Sequence, residues 1–289
     1  MEQILVALDG TVHDPDRPFL YADDLAAIRG DGIFETLLVR SDRARGVDAH
    51  LDRFERSAHM MDLPQPDRAA WREAISIAEK QWGEIGAGRE AWMRLVCSRG
   101  RESAPEAGPT GYVMVGPVAD RVARARTHGI SVVTLERGYS VELAGHAPWQ
   151  LLGAKTLSYA TNMAALRHAA ERGYDDVIYL SSEGAVLEGP RSTVIAVTGR
   201  TLVTPPVEIG ILPGTTHRAI YELAAAEGWT TRAEVLTRAD LIAADSVWLV
   251  SSVALAARVT SLNGHVLAGS RNDDDFADLV NRAVGVDSE

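Results

Sequence analysis

Strand-like and helix-like stretches follow one another irregularly along this chain, and that irregularity constrains the fold most. Apolar, β-prone runs at 2–8, 32–40 (GIFETLLVR), 91–98, 112–118, 130–135, 177–180, 193–198 and 247–250 predict strands. Asp48–Leu63 places Leu51, Phe54, Ala58 and Met61 at helical spacing, and Asp67–Trp82 gives a second amphipathic helix with Asp67 as its N-cap. Further helices are expected over Leu157–Arg172 ended by Gly173, Thr215–Glu227 closed by Gly228, and Leu236–Ala244. These elements do not repeat as βαβ units, so the class is α+β rather than a doubly wound parallel sheet. Gly116-Pro117 followed by Arg121–Gly129 reads as a connection into a second unit. It divides the chain into 1–118 and 119–289.

The bulk properties exclude several function classes. The net charge of −11 repels phosphate backbones, and no basic block offsets it, so nucleic acid is not an expected partner. With Cys97 as the single cysteine, no internal disulfide and no cysteine-bound zinc are expected. Eight histidines are scattered without HxxxH spacing, so no metal site is expected. The run Ile4–Leu8 has no basic flank and reads as a strand rather than a signal peptide. No apolar stretch approaches the ~18 residues of a membrane span, and the cytoplasm is the expected compartment.

Lysine use is the sharpest chemical signal. Of the 29 Lys and Arg residues, only Lys80 and Lys155 are lysines. Arginine cannot replace a lysine that must lose its proton and attack a carbonyl. Lys80 falls off the buried stripe of its helix and reads as surface. Lys155, in PWQLLGAKTLSYA, sits among apolar residues where burial would depress its pKa toward the range of a usable base; a snorkelling lysine fits the same context. The run Gly210–His217 (GILPGTTH) leads into a helix whose start, with Thr215 and Thr216, suits a phosphate or ordinary capping. Glu188 beside a Gly-Pro turn, Ser251-Ser252 at a strand end and Arg53 in HLDRFERS each have a bland reading as solvated surface; for Arg53 it is an exposed ion pair.

Taken in order, GDGIFET (30–36), HLDRFERS (50–57), Lys155 followed by TLSY, LEGPRST (187–193), ILPGTTHRAI (211–220) and VWLVSS (247–252) resemble the class IV aminotransferase-like, fold type IV pyridoxal-phosphate enzymes. The resemblance spans nearly the whole chain. It implies a small N-terminal α/β domain, a larger C-terminal barrel-like α/β domain and a homodimer. It implies pyridoxal 5'-phosphate as cofactor, with Lys155 as the Schiff-base lysine and Glu188 as partner of the pyridine nitrogen. It places Arg53, Gly214, Thr215, Thr216 and Ser252 on the phosphate and Tyr159 near the cofactor hydroxyl. Relatives often carry Asn where this chain has Thr193, which is kept as a cofactor contact, and Thr where it has Val253. Phe34, Arg94, Arg99 and Arg191 are candidates for substrate binding.

The strings APWQLLGAKTLSYATNMAALRHA and TPPVEIGILPGTTHRAI are most similar to bacterial 4-amino-4-deoxychorismate lyases. The D-amino-acid branch carries an Arg-x-His pair in the loop after its central strand; here that loop, RGRESAPEAGP (99–109), has no His. The resemblance therefore implies a lyase yielding p-aminobenzoate and pyruvate, with a branched-chain or D-amino-acid aminotransferase as the alternative.

Overall fold

The computed structural model describes residues 2–285 and groups them into two compact units. The first unit comprises 2–119 and Ala154–Tyr159. Its elements are β1 (Ile4–Ala7), β2 (Val12–His13), α1 (Leu25–Arg29), β3 (Gly32–Arg40), β4 (Arg43–Ala44), α2 (Val47–Met60), α3 (Arg68–Ile85), β5 (Ala91–Ser98) and β6 (Thr110–Pro117). The sheet is antiparallel throughout, in the order β2-β1-β6-β5-β3-β4. Alternate residues Ile33, Leu37 and Val39 of β3 and Met93, Leu95 and Cys97 of β5 face one side, as the two-residue period of a strand requires. There they pack with Leu51 and Phe54 of α2 and Trp71 and Trp82 of α3, Phe54 meeting Trp71 edge-on at 4.9 Å. Asp67 caps α3 by accepting from the amides of Ala69 and Ala70.

The second unit comprises Asp120–Gly153 and Ala160–Gly285. It contains α4 (Asp120–His128), β7 (Ile130–Glu136), α5 (Leu143–His146), α6 (Ala160–Ala170), β8 (Asp176–Leu180), β9 (Thr193–Thr198), β10 (Thr201–Thr204), α7 (Thr215–Ala226), β11 (Thr230–Ala233), α8 (Arg238–Ala243), β12 (Ser246–Ser251), β13 (Leu255–Leu262), β14 (His265–Val266) and α9 (Asp273–Gly285). The strands order as β11-β10-β9-β12-β13-β7-β8, with β14 on β13. The β10–β11, β13–β7 and β7–β8 pairs are parallel and the rest antiparallel. Val194, Val247, Leu249, Ile178 and Val259 form one core on this sheet, and Val177, Tyr179, Leu187 and Ile211 belong to another. This mixture of antiparallel and parallel pairing with scattered helices is the α+β class that the sequence predicts.

Around the junction of the two units the structure differs from the sequence reading. Residues 121–129 are not a simple connection but lie largely in helix α4, which buries no residue and so offers no apolar period to read. The helix expected from Leu157 begins at Ala160, because Lys155, Thr156 and Leu157 are paired with the backbone of β3. Contacts also group Ala154–Tyr159 with the first unit, whereas the sequence reading placed it within 119–289. Among the described residues, no helix is long and apolar enough to cross a membrane.

Candidate active site

Lys155 is held by backbone pairing in the first unit. Thr156 bridges Ile33 in antiparallel fashion. The Phe34 amide donates to the Lys155 carbonyl at 3.0 Å, and the Leu157 amide donates to the Gly32 carbonyl at 2.8 Å. The Lys155 amide donates to the Ser57 hydroxyl of α2 at 3.1 Å. Gly32 is required at this crossing, since a Cβ there would lie 2.5 Å from the Cys97 carbonyl oxygen and 2.7 Å from Leu157 Cδ1. Lys155 Nζ lies 4.5 Å from the centre of the Phe34 ring, which meets Tyr159 edge-on at 5.4 Å.

On the core side of β3, Glu35 is 0% exposed. Arg53 of α2 donates to it through Nε at 2.6 Å and Nη2 at 2.7 Å, the paired geometry that makes Arg–carboxylate bonds strong. His50 Nδ1 sits 2.7 Å from the same carboxylate. Burial alone would raise the Glu35 carboxyl, but Arg53 and then His50 outweigh it and hold it well below the ordinary range. Burial, opposed by Glu35, holds the His50 imidazole below its ordinary value. A neutral His50 must then donate from Nδ1, because the ionised Glu35 only accepts. Arg53 is thus buried, and its bland reading as an exposed surface ion pair is corrected.

Arg94 alternates with the core residues of β5 and projects from the opposite face, its guanidinium carbon 5.1 Å from the Trp92 ring and 5.9 Å from the Phe34 ring. Among the described residues it has no carboxylate partner. Arg99, by contrast, pairs with Asp31 at 2.8 Å and donates to the carbonyls of Met61 and Asp62. Arg191, in the second unit, pairs with Asp176 at 3.4 Å.

The second unit gathers two further groups. Glu188 accepts from Arg137 Nη1 at 2.6 Å on one oxygen and from the Leu212 amide at 3.0 Å on the other. Arg137 in turn lies 5.0 Å from the Tyr179 ring and 5.5 Å from the Tyr139 ring. Each Glu188 oxygen keeps a second acceptor position, so the pair of bonds fixes the carboxylate without saturating it. At the start of α7, Thr215 Oγ1 and Thr216 Oγ1 each lie 3.4 Å from Ser252 Oγ. The N-cap of that helix is Gly214, which has no side chain to cap it. Gly214 cannot carry a side chain, because its Cβ would fall 2.5 Å from Thr193 Oγ1. Arg126 of α4 donates to the Val253 carbonyl and so holds the Ser252 turn.

This donor set fits pyridoxal phosphate. Three hydroxyls beside a helix start suit a phosphate ester, and an anchored carboxylate suits a protonated ring nitrogen. Glu35, His50, Ser57 and Arg137 were not singled out from the sequence. The spacing of His50 and Ser57 on the helical face of Arg53 was a signal available for two of these positions; Arg137 had none in a chain that uses Arg for most of its positive charge.

His217 follows the two threonines on α7, and burial pushes its imidazole down to about 4 from 6.5. The unfolded chain therefore binds more protons between those values. Stability is complete above about pH 6.5 and falls as pH drops toward 4, by up to ~3 kcal/mol. Urea melts of wild type and His217→Leu across that window should differ in slope; parallel curves would remove His217 as the source.

A family model described as amino-transferase class IV matches residues 32–262. A bifunctional aminodeoxychorismate lyase / D-amino acid transaminase of Mycobacterium tuberculosis is 49% identical over 97% of this chain and 99% of that protein. A structure described as a hypothetical aminotransferase from Mycobacterium tuberculosis in its PLP-bound form superposes with a TM-score of 0.95 at 49% identity, covering 98% of this chain and 99% of that one. A form with α-ketoglutarate and PMP bound gives the same TM-score of 0.95 and identity of 49%, covering 97% and 98%.

Proposed function

We propose, from the premise that this chain belongs to the amino-transferase class IV family, that it is a pyridoxal-phosphate enzyme cleaving 4-amino-4-deoxychorismate to p-aminobenzoate and pyruvate. The observation that carries the reading is the end-to-end identity of 49% with a protein bearing both lyase and D-amino acid transaminase activities. Transamination of D-amino acids is its second activity in this reading, which the relative with α-ketoglutarate and PMP bound supports.

The cofactor supplies an electron sink for the pair left when a proton leaves the carbon bearing the substrate nitrogen. Lys155 Nζ removes that proton and later returns it. Glu188, oriented by Arg137 and the Leu212 amide, would face the ring nitrogen and favour a proton there. Thr215, Thr216, Ser252 and Arg53 would hold the phosphate, Thr193 and Gly214 would shape the helix start, and Tyr159 would reach the cofactor hydroxyl. In the lyase reaction the C–O bond on the neighbouring carbon breaks. The group leaves as an enolate, which takes at its methylene carbon the proton that Lys155 carries and becomes pyruvate, and the substrate ring becomes aromatic.

A lyase restores its cofactor at every turnover, whereas an aminotransferase needs a 2-oxo acid to reload it. Incubation with 4-amino-4-deoxychorismate alone should give many equivalents of p-aminobenzoate per site. A single equivalent or none, with sustained turnover only when an amino acid and 2-oxoglutarate are present together, would favour the aminotransferase reading.

Arg94 is the guanidinium we assign to the substrate carboxylate, since Arg99 and Arg191 already face carboxylates. Arg94→Met should raise KM about tenfold to a hundredfold, the scale of one charge-assisted bond, with a smaller change in kcat. Steady-state kinetics with an unchanged KM would return Arg94 to the surface.

A further inference from the structure

We infer that Ser57 is a positioning residue for Lys155, a role that rests on the cofactor reading above. Ser57 is buried on α2, one turn beyond Arg53, and 98 residues separate it from Lys155 in sequence. Its hydroxyl accepts the Lys155 amide at 3.1 Å, while the Lys155 carbonyl takes the Phe34 amide at 3.0 Å. Both peptide groups flanking the Lys155 Cα are therefore tied, one to a helix and one to a strand.

The consequence is a fixed pivot. Lys155 ends in four methylenes, and its amine can reach a target reproducibly only if the Cα does not wander. The β3 pairing alone would leave the segment free to shift along the strand edge on its N-terminal side, where the backbone bonds to β3 given for the described residues begin at the Lys155 carbonyl. The Ser57 bond supplies that missing restraint, and an apolar residue there would leave a backbone donor without its partner. The same helix carries Arg53 four residues earlier, a rise of about 6 Å. One rigid element thus sets both the proposed phosphate arginine and the origin of the lysine side chain.

The restraint matters when the amine links to the cofactor aldehyde. Lys155 Nζ forms a bond to the carbonyl carbon, and the aldehyde oxygen leaves as water with the two amine protons. Pyridoxamine phosphate has the phosphate and ring but no aldehyde, so it reports binding without that link. The full-length chain, freed of cofactor, should bind pyridoxamine phosphate equally well as wild type and as Ser57→Ala. Lys155 capture of pyridoxal phosphate, followed by its visible absorbance in stopped flow, should be about tenfold slower or more in Ser57→Ala, on the scale of a small misplacement of a reacting group. Ser57→Thr, which keeps the hydroxyl, should recover most of the rate. Exchange of the Lys155 amide hydrogen should quicken in Ser57→Ala while that of Leu157 does not.

Equal capture rates in wild type and Ser57→Ala would overturn the proposal. So would parallel losses for both ligands, which would mark Ser57 as merely structural. Should Ser57→Ala fail to fold, Ser57→Cys, close in size and a weak acceptor, allows the same comparison: slower capture with unchanged pyridoxamine phosphate binding supports the role, and equal capture or parallel losses overturn it. A wild type that never links Lys155 would sink the cofactor reading itself, and the inference with it.

Discussion

Lys155→Ala is expected to abolish turnover and the visible absorbance of lysine-linked cofactor, while Lys80→Ala leaves both intact. The chain holds only these two lysines, and they lie in unlike places. Lys80 is exposed on α3. Lys155 has its amide on Ser57, its carbonyl on Phe34 and its amine against the Phe34 ring. In the proposed reaction its amine is both the covalent anchor and the proton carrier, so the loss combines two roles. A fall of at least about 10⁴-fold is expected, equivalent to more than ~5 kcal/mol on the barrier. Phosphate contacts do not pass through this side chain, so the variant should still bind pyridoxal phosphate noncovalently. If Lys80→Ala bleached the protein and Lys155→Ala did not, every role assigned around Lys155 would have to be redrawn.

The sequence made most of the site legible because several contributing residues stand at element boundaries. β3 and β5 were read with their observed ends, and α7 begins at the Thr215 where it was expected. In each case a glycine, a proline or a change of period marks the end. What escaped was whatever depends on a partner distant in sequence. Glu35 occupies a core-facing position between Ile33 and Leu37, and nothing local says which residues neutralise it. Arg53 looked peripheral to the stripe of Leu51, Phe54 and Ala58, yet α2 buries a second, polar stripe of His50, Arg53 and Ser57 beside it. Strand β13 was missed because Arg258, Thr260 and Ser261 break its apolar pattern, although it pairs with both β12 and β7. Helix α9 was missed behind its three first-turn aspartates, which suit a helix N-terminus but carry no apolar period.

Glu35→Leu is expected to cost the fold about 3–5 kcal/mol, the range for removing one member of a buried ion pair. The size is similar, so the loss is electrostatic. Arg53 would lose the carboxylate that takes its Nε and Nη2, and His50 the acceptor for Nδ1. Because the Glu35 carboxyl is held below its ordinary value in the folded chain, its contribution is complete above the ordinary carboxylate range. It is lost progressively as pH falls from that range toward the lower folded value, so near neutral pH the Glu35 share of the difference from wild type should stay constant. His50 acts on the other side of that window: its depressed imidazole favours the fold above about 6.5 and less so below. The double variant Glu35→Leu/Arg53→Met removes both charges together, and apolar replacement of a whole buried pair is often neutral. It should therefore be more stable than Glu35→Leu alone, with a coupling energy of at least ~1 kcal/mol in a double-mutant cycle. Yet it should bind pyridoxal phosphate worse than wild type, having lost the proposed phosphate arginine. Denaturant melts and cofactor titration on the same four proteins separate the two effects. Additive stabilities would show that Glu35 and Arg53 do not hold each other. A double variant with wild-type cofactor affinity would show that Arg53 serves the fold and not the phosphate.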